Sequence, residues 1–373
     1  MLDFLKTIVQ TVFRFVGFPT KTGLREFGHP GPKSPVFVTS NFDLTVRRVS
    51  KEIENLDCYL LVAPTKGKNV WCAAGGGIFN ARSVISVLKT SGIGERVKHR
   101  TLILPQLSAP GVDLEIIKRE TGWRCKFGPV YAKDIPGYIE NGFKKTQRMR
   151  LVEFPLSARL EMASMWGGML SLLVGIPVAI LALRSLPGVL ALIWGMALAM
   201  FIFYSYLPGK VGLFKGLFVA LITIVALALY PLFFGHWSNG RLVAWGVGIL
   251  ILGSVLGFDF EGQSPIYAAS TITFWAGKWP IVLKVWARLG YVMEPFFTVG
   301  VDAERCSGCG ICVEVCPKGV YEMYASDRGG KKARVVALDA CVQCTACVKQ
   351  CPREAIWADP PIKRFERVEG AQQ

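Results

Sequence analysis

Histidine is nearly absent from this chain, with 3 residues among 373, and none of the three has the spacing of a metal-binding motif. Two nucleotide-binding motifs are missing as well: the Walker loop with its Lys-Ser or Lys-Thr ending, and the G-x-G-x-x-G turn. These absences argue against a histidine-held metal ion and against a nucleotide cofactor.

Acidic residues are also few, and the net charge of +16 is unevenly spread. Residues 1–150 carry 24 Lys and Arg against 12 Asp and Glu, whereas residues 301–373 carry 11 against 10. A basic N-terminal domain can rest against anionic lipid, and a solvated basic surface is the alternative. Without a helix-turn-helix, an aromatic RNA-binding signature or a basic stripe, we expect no nucleic-acid partner.

A cleavable signal peptide is not evident, because Lys6 and Arg14 interrupt the first apolar run and no small-residue cleavage site follows. Apolar residues from Leu2 to Val16 recur instead at helical spacing. This pattern predicts an amphipathic helix that lies on a membrane or covers the next domain.

The middle of the chain, residues 160–260, is overwhelmingly apolar and predicts a transmembrane domain. Its four predicted spans are Trp166–Leu183, Gly188–Tyr206, Leu213–Phe234 and Leu242–Phe258. Residues 261–299 form a predicted linker, in which the stretch 266–286 is interfacial or re-entrant, with a fifth membrane span as the alternative. Loops rich and poor in Lys and Arg alternate, so we expect a multi-pass cell-membrane protein whose soluble domains both face the cytoplasm.

Residues 300–360 contain the strongest motif, C-x2-C-x2-C-x3-C-P, twice. This is the pattern of bacterial two-cluster ferredoxins, in which the fourth cysteine ligates the other cluster. It predicts a ferredoxin-like α+β domain with two [4Fe–4S] clusters, because zinc sites rarely repeat this spacing and cytoplasmic disulfides are rare. The predicted ligands are Cys306, Cys309, Cys312 and Cys351 for cluster 1, and Cys341, Cys344, Cys347 and Cys316 for cluster 2.

The N-terminal region, residues 1–150, alternates short apolar runs with helical stretches. "PVFVTS", "CYLLVAP" and "RTLILP" are typical of buried parallel strands, and "ARSVISVLKTSG" and "GVDLEIIKRETG" of helices that end at a glycine. The alternation predicts a doubly wound, Rossmann-like α/β domain. Ligands of such sheets bind beyond the carboxyl ends of the strands.

One cysteine, Cys72, stands alone in the stretch "NVWCAAGGGIF", where an apolar, strand-like segment meets a glycine-rich turn and a helix. A lone cysteine in such surroundings is usually a small buried hydrophobe. The alternative is a metal ligand beside glycines that leave room for a bound group. The D-x-H-x-x-G motif, which supplies histidine to cobalt in many cobalamin domains, is missing.

The runs "NVWCAAGGGIF", "HRTLILPQLSAPGV" and "GFDFEGQSP" resemble the corrinoid protein of microbial mercury methylation (HgcA type), and the C-terminal region is similar to its ferredoxin partner (HgcB type). The resemblance implies a fusion of the two, a corrinoid-dependent methyltransferase. It implies that Cys72 ligates the cobalt of a base-off cobalamin and is the catalytic residue. The residues of the implied cofactor-binding loop are Asn69, Val70, Trp71, Cys72, Ala73, Ala74, Gly75 and Gly76.

The resemblance also implies the partners. A methyl donor protein or methyltetrahydrofolate-type system supplies the methyl group, and Hg(II) or another soft acceptor receives it. The ferredoxin domain, fed by an upstream low-potential donor, reduces the cobalt.

Two departures weaken mercury as the acceptor. Gly76 stands where that family has lysine, and "ADPPIKRFERVEGAQQ" lacks the cysteine pair that its ferredoxin carries. The spare thiols, Cys58 and Cys125, are expected to be structural. Two further hypotheses therefore stay open: a methyl or electron carrier of one-carbon metabolism with another acceptor, and a membrane electron-transfer module whose N-terminal domain serves only for docking.

Overall fold

The computed structural model of the chain describes residues 2–14, 16–204, 206–208, 212–229, 238–258, 298–327, 329–359 and 361–365. These residues form two compact units, each assembled from separate stretches of sequence. One unit contains the described residues up to position 16 together with residues 153–258. The other contains residues 17–152 together with the described residues from 298 onward.

The regular elements follow the chain in this order. The strands are β1 (Gly23–Phe27), β2 (Val36–Ser40), β3 (Cys58–Ala63), β4 (Thr101–Leu104), β5 (Arg124–Phe127), β6 (Thr298–Val301), β7 (Tyr321–Ala325), β8 (Lys331–Val335) and β9 (Ile356–Asp359). The helices are α1 (Leu2–Val12), α2 (Asp43–Ile53), α3 (Val70–Gly75), α4 (Ala81–Thr90), α5 (Ile93–Arg96), α6 (Leu114–Thr121), α7 (Ile135–Glu140), α8 (Gln147–Arg150), α9 (Leu156–Leu170), α10 (Ile176–Leu181), α11 (Leu186–Phe203), α12 (Gly212–Leu229), α13 (Asn239–Phe258), α14 (Ile311–Val315) and α15 (Ala346–Gln350).

A five-stranded sheet forms the α/β domain, with strand order β1-β3-β2-β4-β5. Strands β2 to β5 pair in parallel, while β1 pairs with β3 antiparallel. Every residue of β2 and β3 is buried, as expected for apolar strands covered on both faces. These two strands and β4 are the three that the sequence predicts, and α/β is the class observed. The antiparallel edge strand β1 was not predicted.

Helices cover both faces of this sheet. On one face, the core joins Phe37, Cys58 and Leu60 of the strands to Ile53 of α2 and Tyr138 of α7. On the other face, α4 packs against β3 and α6 packs against α4. The carboxyl end of β3 leads to the segment that contains Cys72, and the carboxyl end of β4 leads to residues 106–112.

The C-terminal domain is built from two antiparallel strand pairs and two short helices. β6 pairs with β9, β7 pairs with β8, and α14 packs against α15. Four of its cysteines belong to the buried core of this small domain, namely Cys306, Cys312, Cys316 and Cys347. A small core with several cysteines is typical of a domain that folds around a metal group.

The other unit is helical and apolar. Leu156–Leu181, Leu183–Phe203 and Asn239–Gly257 are long and apolar enough to cross a membrane by length and composition, and Leu213–Leu229 is a shorter apolar helix. Three of the four predicted spans thus reach spanning length among the described residues, and the end of the third predicted span lies outside them. The predicted interfacial stretch 266–286 also lies outside the described residues. Helix α1 packs against α9, with Arg14 paired to Glu161 at 2.6 Å.

Candidate cofactor-binding sites

Cys72 lies on a short helix rather than at the end of a strand. The sequence predicts a strand-like segment here, but residues 70–75 form α3, so that prediction is wrong. The physical reason is the preceding residue: Asn69 is the N-cap, and its side-chain oxygen accepts a hydrogen bond from the backbone N–H of Cys72 at 2.8 Å. This bond fixes the first turn of the helix and the position of the cysteine on it.

The side chains of α3 divide into a buried set and an accessible set. Val70, Trp71, Ala73, Ala74 and Gly75 are buried, whereas Cys72 is partly exposed and Gly76 is exposed. The predicted loop residues are therefore brought together, but most of them anchor the helix in the domain. Cys72 is the residue of this helix whose side chain carries a sulfur atom, and it is partly exposed. This exposure does not match the interpretation of Cys72 as a fully buried core thiol.

Small residues follow Cys72 along the chain, and open space adjoins one of them. Gly77 has φ +71°, which favours glycine, and nothing lies within 4 Å of the position that its Cβ would occupy. Gly76 has φ −80°, and its Cβ would lie 3.2 Å from the carbonyl oxygen of Cys72. A lysine at position 76 would thus require only a small local adjustment. A half-exposed thiol beside such open space fits a flat macrocycle.

Two polar residues that sequence reasoning missed support the turn before α3. Asn41 follows β2, and its side-chain oxygen accepts hydrogen bonds from the backbone N–H groups of Thr65 and Gly67, each at 2.9 Å. Thr65 is fully buried and Asn41 is 6% exposed. The available signal was the position of Asn41 immediately after a buried parallel strand, where functional polar residues collect.

The C-terminal domain contains two pockets, each lined by four cysteines. The first is lined by Cys306, Cys309, Cys312 and Cys351, and the second by Cys316, Cys341, Cys344 and Cys347. The structure therefore brings together the two sets that the motif predicts, including the exchange of the fourth cysteine. All eleven cysteines of the chain lie in its described part, and none of them forms a disulfide there.

The donor set of each pocket suits an iron–sulfur cluster better than a single ion. Among the described residues, no three His, Cys, Asp or Glu side chains are grouped closely enough to hold one metal ion. Four thiolates around a wider space are the ligand set of a [4Fe–4S] cluster.

The backbone around the pockets repeats a demanding geometry. Gly308 and Gly310 have φ of +73° and +76°, and the corresponding residues of the second motif, Gln343 and Thr345, have φ of +53° and +62°. A β-branched residue such as Thr345 is rarely found in this region, and such outliers cluster at functional sites. Both loops thus adopt the same turn although only one of them has glycine.

The two spare thiols are not poised to react. Burial raises the pKa of Cys125 to about 12, and burial together with the charge of Asp57 raises the pKa of Cys58 to about 12. Neither residue therefore has the lowered thiol pKa that is typical of a reactive cysteine. The expectation that both are structural fits this environment.

Residues 106–112 of the α/β domain form one contact with the C-terminal domain, and in another the backbone N–H of Val152 donates to the carbonyl oxygen of Pro317 at 2.8 Å. Gln106 is 1% exposed, and its side-chain nitrogen donates hydrogen bonds to the carbonyl oxygens of Arg150 and Val315, at 2.9 and 3.3 Å. Gln350, which precedes Cys351, donates to the carbonyl oxygens of Ala109 and Val112, both at 2.8 Å.

The opposite side of the same loop rests on α3. A Cβ on Gly111 would lie 2.7 Å from the carbonyl oxygen of Ala74, so the loop approaches the Cys72 helix as closely as glycine permits. The 106–112 loop therefore contacts the Cys72 helix on one side and the cysteine-bearing segments on the other.

A buried lysine completes this contact. Lys145 has a side chain that is 1% exposed; its ammonium lies 3.2 Å from the carboxylate of Glu314 and donates to the side-chain oxygen of Gln106 at 2.9 Å. Burial lowers the pKa of Lys145 to about 8, and the charge of Glu314 offsets part of that fall. The contact therefore joins a basic domain to a segment between two cluster cysteines.

We expect Lys145→Met to change how stability depends on pH. The folded pKa of about 8 lies below the ordinary 10.5, so between these values the unfolded chain binds more protons and wild-type stability rises with pH. Below pH 8 the cost of burying the ammonium is present in full. Relative to Lys145→Met, the wild type should gain up to about 3 kcal/mol across this window, measured by urea denaturation in detergent. The matched control is Lys144→Met, a substitution at the exposed neighbouring residue. Equal pH profiles of stability for wild type and Lys145→Met would contradict the lowered pKa of Lys145.

Comparison with known proteins identifies relatives of both domains. Residues 16–139 match the family model described as CO dehydrogenase/acetyl-CoA synthase delta subunit, and residues 305–356 match a 4Fe-4S dicluster domain. The gamma subunit of the acetyl-CoA decarbonylase/synthase complex from Methanothermobacter thermautotrophicus is 38% identical over 120 residues, which is 32% of this chain and 26% of the relative. The corrinoid/iron-sulfur protein large subunit from Moorella thermoacetica is 35% identical over 117 residues, 31% of this chain and 26% of the relative.

These matches support the coarse part of the predicted resemblance. The α/β domain is similar to corrinoid/iron–sulfur proteins, and the C-terminal domain is similar to 4Fe-4S dicluster domains. The chain spans about a quarter of the length of the curated relatives that it matches. Mercury methylation stays a prediction.

Proposed function

We propose that this chain is a corrinoid-dependent methyl carrier whose own ferredoxin-like domain delivers electrons to the corrinoid. The observation that carries the proposal is the 106–112 loop, which packs on the Cys72 helix at Ala74 and accepts hydrogen bonds from Gln350. The similarity of residues 16–139 to corrinoid/iron–sulfur proteins supports the same function.

The residues of the α/β domain have separate roles in this proposal. When bound, the corrinoid supplies a cobalt that accepts and releases a methyl group. Asn69 fixes the helix turn, Cys72 would hold the cobalt through its sulfur, and the exposed Gly76 and Gly77 would leave room for the macrocycle. A thiolate is a soft, electron-rich donor, which suits transfer of the methyl group to a soft acceptor.

The cysteines of the C-terminal domain hold two [4Fe–4S] clusters in this proposal, one in each four-cysteine pocket. Gln106, Lys145 and Gln350 hold that domain against the α/β domain, so reduction takes place within one chain. An upstream low-potential donor supplies the electrons.

The proposed partners are a methyl donor, a methyl acceptor and the membrane. The curated relatives are named as complex subunits, and we place a methyl donor protein and an acceptor protein or metabolite among the partners of this chain. The apolar helices anchor it to the cell membrane, with both soluble domains on the cytoplasmic side. A carrier with an acceptor of one-carbon metabolism is favoured over a mercury methyltransferase, because the relatives of the α/β domain are named as corrinoid/iron-sulfur and acetyl-CoA decarbonylase/synthase subunits.

Cobalamin binding by wild type and Cys72→Ala tests the proposal. The wild type, reconstituted anaerobically, should hold about one cobalamin per chain, with the absorption spectrum of a base-off, sulfur-ligated cobalt. Cys72→Ala should lose that spectrum, because its alanine has no donor atom. The matched control, Cys125→Ala, removes a thiol of the same domain and should keep the wild-type spectrum.

The same preparation distinguishes the acceptors. After loading with methylcobalamin, the protein is offered Hg(II) or a thiol acceptor, and methyl loss is followed by absorbance. A fast, Cys72-dependent reaction with Hg(II) alone would favour mercury methylation. Absence of stoichiometric cobalamin in the wild type would leave a plain electron-transfer module and overturn the proposal.

A further inference from the structure

The two halves of the C-terminal domain form an internal comparison. Residues 316–321 read CPKGVY and residues 351–356 read CPREAI, so the two segments align after their cysteines. In both, a backbone N–H four residues after the cysteine donates to its sulfur: Val320 to Cys316 at 3.4 Å, and Ala355 to Cys351 at 3.2 Å. The next residue differs, since it is Tyr321 in one half and Ile356 in the other.

That difference gives the second pocket a side-chain hydrogen-bond donor at this position. The hydroxyl of Tyr321 donates to the sulfur of Cys347 at 3.2 Å, and Tyr321 is 4% exposed. Ile356 lines the first pocket at the corresponding position and has no side-chain donor. The second set of cysteines therefore has a buried hydroxyl donor at a position where the first set has an isoleucine side chain.

The two pockets also differ in exposure to solvent. In the second set, Cys316, Cys344 and Cys347 are buried, whereas the first set includes Cys309, which is exposed. Reduction adds an electron to a cluster that is already anionic, and burial disfavours the added charge. Burial alone would thus place the potential of the second cluster below that of the first. A hydrogen bond to a ligand sulfur acts in the opposite direction, because it stabilises the reduced state.

We propose that Tyr321 raises the reduction potential of the second cluster and so narrows the gap between the two clusters. The proposal rests on the two clusters of the proposed function. Tyr321 is a positioning residue that acts through the sulfur of Cys347. When the gap between the two potentials is narrow, one electron can pass between the clusters in either direction. The donating cluster becomes oxidised and the accepting cluster becomes reduced. No proton is transferred and no bond is broken.

Redox titration of Tyr321→Phe tests this role in the full-length, cluster-loaded chain. The potentials of both clusters are measured by electron paramagnetic resonance with a low-potential chemical reductant. One potential should fall by about 59 mV, the equivalent of a tenfold change in the ratio of reduced to oxidised cluster, and the other should stay in place. The matched control is Tyr324→Phe, a partly exposed tyrosine that contacts Arg334, and it should leave both potentials unchanged.

The possible outcomes separate this inference from the proposed function. Two intact clusters with unshifted potentials in Tyr321→Phe would overturn the role of Tyr321 alone. Loss of cluster iron in that variant would also overturn it, because the hydroxyl would then be needed for assembly rather than for potential. A wild-type chain without low-potential iron–sulfur signals would overturn the proposed function itself.

Discussion

Replacing Cys351 with alanine is expected to remove cluster 1 from the chain and to leave cluster 2 in place. Cys351 follows Cys347 by four positions, but it lines the pocket of Cys306, Cys309 and Cys312. With one of four thiolate ligands gone, that cluster should not assemble, since three cysteines leave one iron without its ligand. Iron content should fall from about eight atoms per chain to about four.

Pairs of substitutions make the result decisive. Cys351→Ala combined with Cys309→Ala affects one pocket twice, so about four iron atoms should remain. Cys351→Ala combined with Cys344→Ala affects both pockets, so cluster iron should be lost entirely. If each motif instead held its own cluster, the first pair would remove all cluster iron and the second pair would leave about four iron atoms. Cys125→Ala is the matched control and should keep all of its iron.

The motif cysteines show what a sequence can predict well. Their spacing predicts both sets of ligands and the exchange of Cys316 and Cys351, because short loops restrict which sulfurs can meet. The buried strands β2, β3 and β4 are also readable, since each is a short apolar run with β-branched residues and a proline beside it. Local pattern and tertiary structure agree at these positions.

Local pattern was insufficient around Cys72. The apolar run from Val70 to Ala74 suits a strand as well as a helix, and the outcome depends on a hydrogen bond from the side chain of Asn69. The edge strand β1 escaped prediction for a similar reason. Its sequence, GLREF, alternates only briefly, and it is held by pairing with β3 some 35 positions away. The conformation of such short elements depends on the residues that contact them in the folded chain.

The contact between the domains was the least readable feature. Charge balance indicates that a basic domain and an anionic cluster domain suit each other, but it does not identify the residues. Gln106 meets Val315 across 209 positions, and Lys145 meets Glu314 across 169. A single glutamine in "LPQLSAP" has no sequence signature of a docking residue, because its role depends on where a distant segment is placed.

Gln106→Leu is expected to separate the ferredoxin-like domain from the loop that supports the Cys72 helix. Leucine has nearly the same size, so the main change is the loss of polar contacts. The carbonyl oxygens of Val315 and Arg150 lose a buried donor, and Lys145 loses an acceptor. An unsatisfied buried polar group costs about 1–3 kcal/mol, and of the lost bonds only that to Val315 crosses between the domains, so docking should weaken by about 1–3 kcal/mol. That corresponds to a shift of about 5- to 150-fold toward the undocked state.

Two measurements detect that shift. Backbone amides of α14 and α15 should exchange hydrogen faster in Gln106→Leu, because these helices bear the segments that meet the loop. Cobalt reduction in the loaded chain should slow in parallel, since electrons have farther to travel when the domains separate. The matched control is Gln147→Leu, the same substitution at an exposed position of the α/β domain, and it should alter neither measurement. Fast cobalt reduction in Gln106→Leu despite increased exchange would show that electrons reach the corrinoid by another path, such as the ferredoxin-like domain of a second chain.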